Sequence, residues 1–106
     1  MADTLKRMVG PKQLESSTTT QYTVPGATTT VIRHIHLSNP TASDVTVTAS
    51  IGADGAGTRF FDAYVIPARS VFGYPCNIVM TSTEILAMHA GTATALVALV
   101  DGIEVT

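Results

Sequence analysis

Apolar and polar residues alternate along most of this chain, the pattern of strands with one buried face. The longest such run is residues 28–39. Val31, Arg33, Ile35 and Leu37 share one side of its period-two pattern, and Ile32, His34, His36 and Ser38 share the other. The first side is mostly apolar and is expected to face the core. The second is mixed and is expected to meet another subunit. Residues 44–51 alternate most cleanly, with Val45, Val47, Ala49 and Ile51 inward and Thr46, Thr48 and Ser50 outward. The polar turn at 39–44 joins the two runs, so they are predicted to pair as a hairpin.

The remaining pattern is also β. Residues 18–24 form a first strand, closed by the Pro25-Gly26 turn, with Gly26 free to take positive φ. Residues 59–66 are apolar on both faces in part, which predicts a strand covered on two sides. In 71–80, Pro75 has no N–H to give to a ladder and marks an edge or a bulge. Residues 83–89 have helical propensity, with Gly91 as a stop, but only about two turns fit between Thr83 and Gly91, so a strand is expected at 85–90. A long final strand is predicted at 92–100, then a bulge or turn at Asp101-Gly102, with Ile103 and Val105 closing the chain.

Residues 1–11 read differently. Asp3 or Thr4 is placed to cap a short helical turn through Met8, with Leu5, Met8 and Val9 as apolar contacts and Gly10-Pro11 as the stop. One turn is not stable alone. It must dock on its own domain or reach a neighbouring subunit. The chain therefore divides into an N-terminal arm (1–17) and one all-β domain (18–106). About eight closely spaced strands predict an antiparallel β-sandwich or jelly-roll-like fold.

Composition narrows the functions. The 106 residues suffice for one core. Only 13% are charged, against roughly 25% in ordinary soluble domains, which fits either a surface partly covered by copies or partners or a compact Thr/Ser-coated monomer. Net charge −2, with Lys6, Arg7 and Lys12 as the one small basic cluster, argues against nucleic acid as a partner. The apolar run 95–100 is far too short to span a membrane, and no signal peptide is expected, because no apolar region follows Lys6 and Arg7. Cys76 is the single cysteine and allows no intrachain disulfide, which fits a reducing cytoplasm.

No complete catalytic constellation is visible. His34 and His36, two apart on a strand, share a face, and His89 is the one further histidine. Cupin-like metal sites add a Glu shortly after such a pair, and none follows here, so no metal or cofactor is expected. The Gly-rich loop 52–57 lacks the Gly-Lys-Ser/Thr ending of a phosphate loop. Cys76 follows Pro75 in an apolar strand and reads as an inert thiol. No paired carboxylates are evident, and an enzyme is not expected. Among the aromatics, Phe60, Tyr64 and Phe72 are assigned to the core, and Phe61 and Tyr74 to an interface. Leu5, Arg7, Met8, Val9, Ile32, His34 and His36 complete the candidate interface.

Three segments carry a resemblance: Met1-Ala-Asp-Thr-Leu-Lys-Arg-Met-Val-Gly-Pro11, Tyr22-Thr-Val-Pro-Gly-Ala-Thr-Thr-Thr-Val-Ile-Arg33 and Ser50-Ile-Gly-Ala-Asp-Gly-Ala-Gly-Thr-Arg-Phe-Phe-Asp-Ala63. Together they resemble a family of small virion proteins of tailed bacteriophages. The segment Tyr74-Pro-Cys-Asn77 departs from the Trp-Gly type of that family. The resemblance implies a non-enzymatic β-sandwich subunit, present in many copies in the virion and assembled in the bacterial cytoplasm. Its expected partners are itself, as a trimer, and the major capsid protein or tail proteins. The implied role is capsid decoration, with a tail or baseplate position or a carbohydrate or host-surface binding module as alternatives.

Overall fold

Eight strands and no helix make up the described residues, 3–53, 55 and 57–106, of the computed structural model. Met1 and Ala2 of the predicted arm, and Asp54 and Ala56 of the Gly-rich loop, lie outside the described residues. The strands are β1 (Asp3–Gln13), β2 (Thr19–Thr23), β3 (Thr29–Asn39), β4 (Val45–Ile51), β5 (Arg59–Ile66), β6 (Ser70–Met80), β7 (Ile85–Ala90) and β8 (Val97–Val105). They form two antiparallel four-stranded sheets, a front sheet of order β1-β8-β3-β6 and a back sheet of order β2-β7-β4-β5. The pairs β1/β8, β2/β7, β3/β6 and β4/β5 are those of one long hairpin, wrapped over itself into two layers. That is the order of a jelly roll, and the expected all-β sandwich is the fold found.

The core lies between the sheets. Val45, Val47 and Ala49 of β4 and Leu86, Met88 and Ala90 of β7 meet Ile32, Ile35 and Leu37 of β3 and Ala98 and Val100 of β8, all buried. Leu14 and Leu96, fully buried in the two connections, close one end, and Leu14 N–H donates to the Leu96 carbonyl at 2.9 Å. At the other end of the front sheet, the Tyr22 hydroxyl lies 2.8 Å from Thr30 Oγ1 and donates to Glu104 Oε2. Lys6 Nζ adds an ion pair to that carboxylate at 3.3 Å.

The predicted β3–β4 hairpin does not form. β3 pairs with β6 and β8, and β4 with β5 and β7. The reason is Asn39, which is buried at the corner. Its Nδ2 donates to the carbonyls of Ser43, Ile66 and Pro67 at 2.9, 3.0 and 3.2 Å, and its Oδ1 accepts from Thr41. The chain is thereby carried across to the other sheet. In this topology β4–β5 is the one sequential hairpin.

The predicted N-terminal helical turn is also replaced, by β1 on β8, so the segment docks on its own domain. Between Arg7 and Val9 the register slips by one residue. Met8 and Val9 consequently both turn inward and are buried. An inward pair at 8 and 9 imitates helical spacing from Leu5. The last strand starts later than expected, at Val97, and runs straight through Asp101-Gly102; the bulges lie opposite, in β1 and β3. At the Pro25-Gly26 turn the positive φ falls on Ala27 (55°), not on Gly26. Strand β5 is not covered on two sides, because it is the back sheet's edge and is exposed from Asp62 to Val65.

Candidate interaction face

The outer surface of the front sheet is built by the period-two pattern of its strands, modified at one place. In β3 the register against both neighbours slips between Ile32 and His34, so that Arg33 is an extra, bulged residue. A bulge inverts the in-out parity of the residues before it relative to those after it. Thr30 and Ile32 therefore join Ile35 and Leu37 in the core. Arg33 turns to solvent, and Val31 is half-buried on the outer side. This corrects the expectation that Val31 and Arg33 face the core and Ile32 the interface.

Gly102 permits the arrangement. A Cβ there would lie 2.0 Å from the Val31 carbonyl oxygen and 3.0 Å from Ile32 Cα, so only glycine lets the β3 backbone approach so closely.

The outer side chains fall into rows across the strands. One row is Leu5–Ile103–Val31–Val79, wholly apolar. Leu5 is 84% exposed and Val79 61%. The next row, at mid-strand, is Arg7–Asp101–His34–Pro75, with Arg33 beside it. Beyond it come Leu99–His36–Gly73 and then Gln13–Val97–Ser38–Val71, with Val71 63% exposed. The His34 and His36 rings meet edge to face at 6.0 Å between centroids. His34 Nε2 lies 3.3 Å from where a Cβ of Gly73 would be, so the ring covers that glycine. A depression of about 500 Å³ opens between Leu5, Lys6, Arg7, Arg33, Asp101 and Ile103. Among the described residues Arg7, Arg33 and Asp101 make no ion pair within the chain.

Of the nine predicted interface residues, Leu5, Arg7, His34 and His36 come together on this face. Met8, Val9 and Ile32 are in the core instead, for the bulge reasons above. Phe61 is buried too, at the centre of an aromatic cluster along the open side between the edge strands β5 and β6. Its ring centroid is 5.0 Å from Phe60, 5.0 Å from Tyr74, 5.9 Å from Phe72 and 6.0 Å from Tyr64. Tyr74 sits at the rim of this cluster, and so does Tyr64, exposed rather than in the core because β5 ends the sheet. Val71, Val79, Leu99 and Ile103 were missed from sequence. Only the pairing of β3 with β6 and β8 brings them beside His34 and His36.

The other candidate chemistry is scattered. His89 lies on the outer side of the back sheet, with Nδ1 3.1 Å from Thr18 Oγ1, across the sandwich from His34 and His36. The three rings therefore cannot share an ion, and among the described residues no three His, Cys, Asp or Glu side chains are grouped to hold one. Cys76 is half-buried with Sγ 3.5 Å from the Ile32 carbonyl oxygen. Burial pushes its thiol pKa up, partly offset by a backbone hydrogen bond at Ile78, and a raised pKa leaves less of the nucleophilic thiolate at neutral pH.

Comparison with known families, curated proteins and solved structures returns no match.

Proposed function

We propose that this chain is a non-enzymatic structural subunit of a tailed-phage particle, present in many copies and decorating or stabilising the capsid. The observation that carries the reading is the outer face of the front sheet, where Leu5, Val71 and Val79 stand exposed beside half-buried Val31, Leu99 and Ile103. Exposed apolar surface contiguous across four strands is what an assembly contact requires. The low charge content and the three segments resembling small virion proteins support the same reading. Jelly rolls serve in capsids, lectins and cupins alike, so the fold alone favours none of these. The partners are further copies and the major capsid protein, or tail proteins if the subunit belongs to the tail.

The test is to probe purified particles, produced from the genome that encodes this chain, with an antibody against it. Regularly spaced label on the capsid is the expected result. Particles free of the chain would refute the reading, and label confined to the tail would move the role there. A second reading, a carbohydrate-binding module, is favoured by exposed Tyr64 and Tyr74 beside Phe72. Binding on a glycan array that Tyr74→Ala abolishes would support it.

A further inference from the structure

We infer that two copies of this chain meet face to face through the outer surface of the front sheet, about a two-fold axis running along the strands between β8 and β3. The inference rests on the subunit reading and names the surface and the occupant.

Size comes first. Four strands at about 4.8 Å spacing span about 19 Å, and strands of 9 to 11 residues run about 30 Å or more. The face therefore offers about 600 Å² per copy before side-chain relief, about 1,200 Å² for a pair, which clears the roughly 1,000 Å² of a specific interface. Two twisted sheets stack in this way with strands within about 30° of parallel.

Charge then selects the axis. Asp101, with Arg7 and Arg33 near it, lies at the middle of the face, and none of the three is paired within its own chain among the described residues. A two-fold along the strands lays β8 over the second copy's β3 and β1 over its β6. Asp101 then falls on His34 of the second copy, with the bulged Arg33 of that copy beside it, and Arg7 falls on the second copy's Pro75. The row Leu5–Ile103–Val31–Val79 falls on its own reverse, Leu5 against Val79 and Ile103 against Val31. A rotation about the cross-strand direction through this central row would set Asp101 on Asp101 and Arg7 on Arg7, like charges that an isologous contact disfavours.

The sheet edges are poorer docking sites. β6 carries Pro75 in mid-strand, and β1 carries Lys6, Arg7, Pro11 and Lys12, the devices that discourage strand addition. The proposal is a two-fold pair, where the expectation above is a trimer.

The experiment is light scattering on the full chain across a dilution series, with far-UV circular dichroism as a check on folding. A dimer with a Kd below about 100 µM, dissociating on dilution, is expected. Leu5→Asp and Val79→Asp, both at exposed positions, should each weaken it at least about tenfold with the fold intact. Asp101→Arg and Arg33→Asp should each weaken it, and the double swap should restore it. Val65→Asp, on the exposed edge strand of the back sheet, should leave it unchanged. A monomer throughout, a trimer, or a dimer that ignores Leu5→Asp and Val79→Asp would overturn the pairing. A chain present in particles but monomeric in solution overturns the pairing alone, whereas a dimer absent from particles overturns the subunit reading alone.

Discussion

Tyr22→Phe removes one oxygen from a buried network and should cost more than its size suggests. The Tyr22 hydroxyl serves both the Glu104 carboxylate and the fully buried Thr30 hydroxyl. A hydrogen bond to a charged acceptor contributes about 1.5–3 kcal/mol, and a buried hydroxyl left without its partner adds about 1 kcal/mol, so the loss should be about 2.5–4 kcal/mol. The same network carries a pH signature. Burial, then the Glu104 hydrogen bond, push the Tyr22 pKa up from 10.0 to about 12. A folded-state pKa raised above the unfolded one gives stability that is fully present below pH 10 and lost as pH rises towards 12. At one unit per about 1.4 kcal/mol, the native protein should lose about 1.4 kcal/mol by pH 11 through this group alone. Urea unfolding of native and Tyr22→Phe protein at pH 8 and pH 11 measures both effects. The gap between the two proteins should narrow at pH 11, with contributions from other groups common to both. A gap under about 0.5 kcal/mol at pH 8, or one that does not change with pH, would refute the reasoning.

Deleting residues 1–11 removes buried Met8 and Val9, about 3–6 kcal/mol of burial against a typical total of about 5–15. The truncated chain should be largely unfolded by circular dichroism, and an unchanged melting temperature would show that β1 is dispensable. Gly26 has no positive φ and open space around its Cβ position, whereas Ala27 has φ 55°. Gly26→Ala should stabilise by about 0.4–1 kcal/mol, and Ala27→Gly by a net amount of about 0.5–1 kcal/mol after its own entropic cost; a thermal melt of the double variant should rise by several degrees. Asn39→Asp sets a carboxylate against the carbonyls of Ser43, Ile66 and Pro67 and should cost more than about 3 kcal/mol in urea. Gly102→Ala drives a methyl into the Val31 carbonyl. Since the obstacle is backbone, it should cost at least the upper end of the roughly 1–3 kcal/mol range for overpacking, seen as a lower urea midpoint.

The strands themselves were legible because a period of two is a property of local sequence. Seven of the eight follow from it directly, and only β1 was read as another element. Which strands pair was not legible. A jelly roll joins the first strand to the last, and β3–β4 adjacency along the chain says nothing of the Asn39 corner that separates them. The candidate face was half legible. His34 and His36 announce an outer side, but Ile103, Val79 and Leu99 become its members only through pairing. The errors of parity share one cause, because a bulge adds a residue without leaving any mark in hydrophobic periodicity. Ile32 and Val31 exchange sides because of Arg33. Met8 and Val9 sink together because of the slip beside Arg7. Tyr64 shares the inward side with Phe61 because the pairing of β5 with β4 also shifts, with Ala63 at φ 50° and its N–H taken by Thr48 Oγ1 at 3.1 Å.

These bulges explain how an arginine is tolerated within the longest alternating run of the chain. On a regular strand Arg33 would share the inner side with Ile35 and Leu37, where an unpaired charge costs several kcal/mol. The extra residue turns it outward to stand beside Asp101, and Gly102 leaves the space for β3 to close against β8. The slip in β1 lies against the same part of β8 and leaves Arg7 outside while Met8 and Val9 are buried. Two departures from strand regularity and one glycine thus separate a sealed core from an outer face with an apolar row on one side and charges at its centre. An apolar row alone would stick to many surfaces. A central row of mixed charge restricts contact further: in the proposed pair Asp101 falls on the second copy's His34, beside its Arg33, rather than on another Asp101.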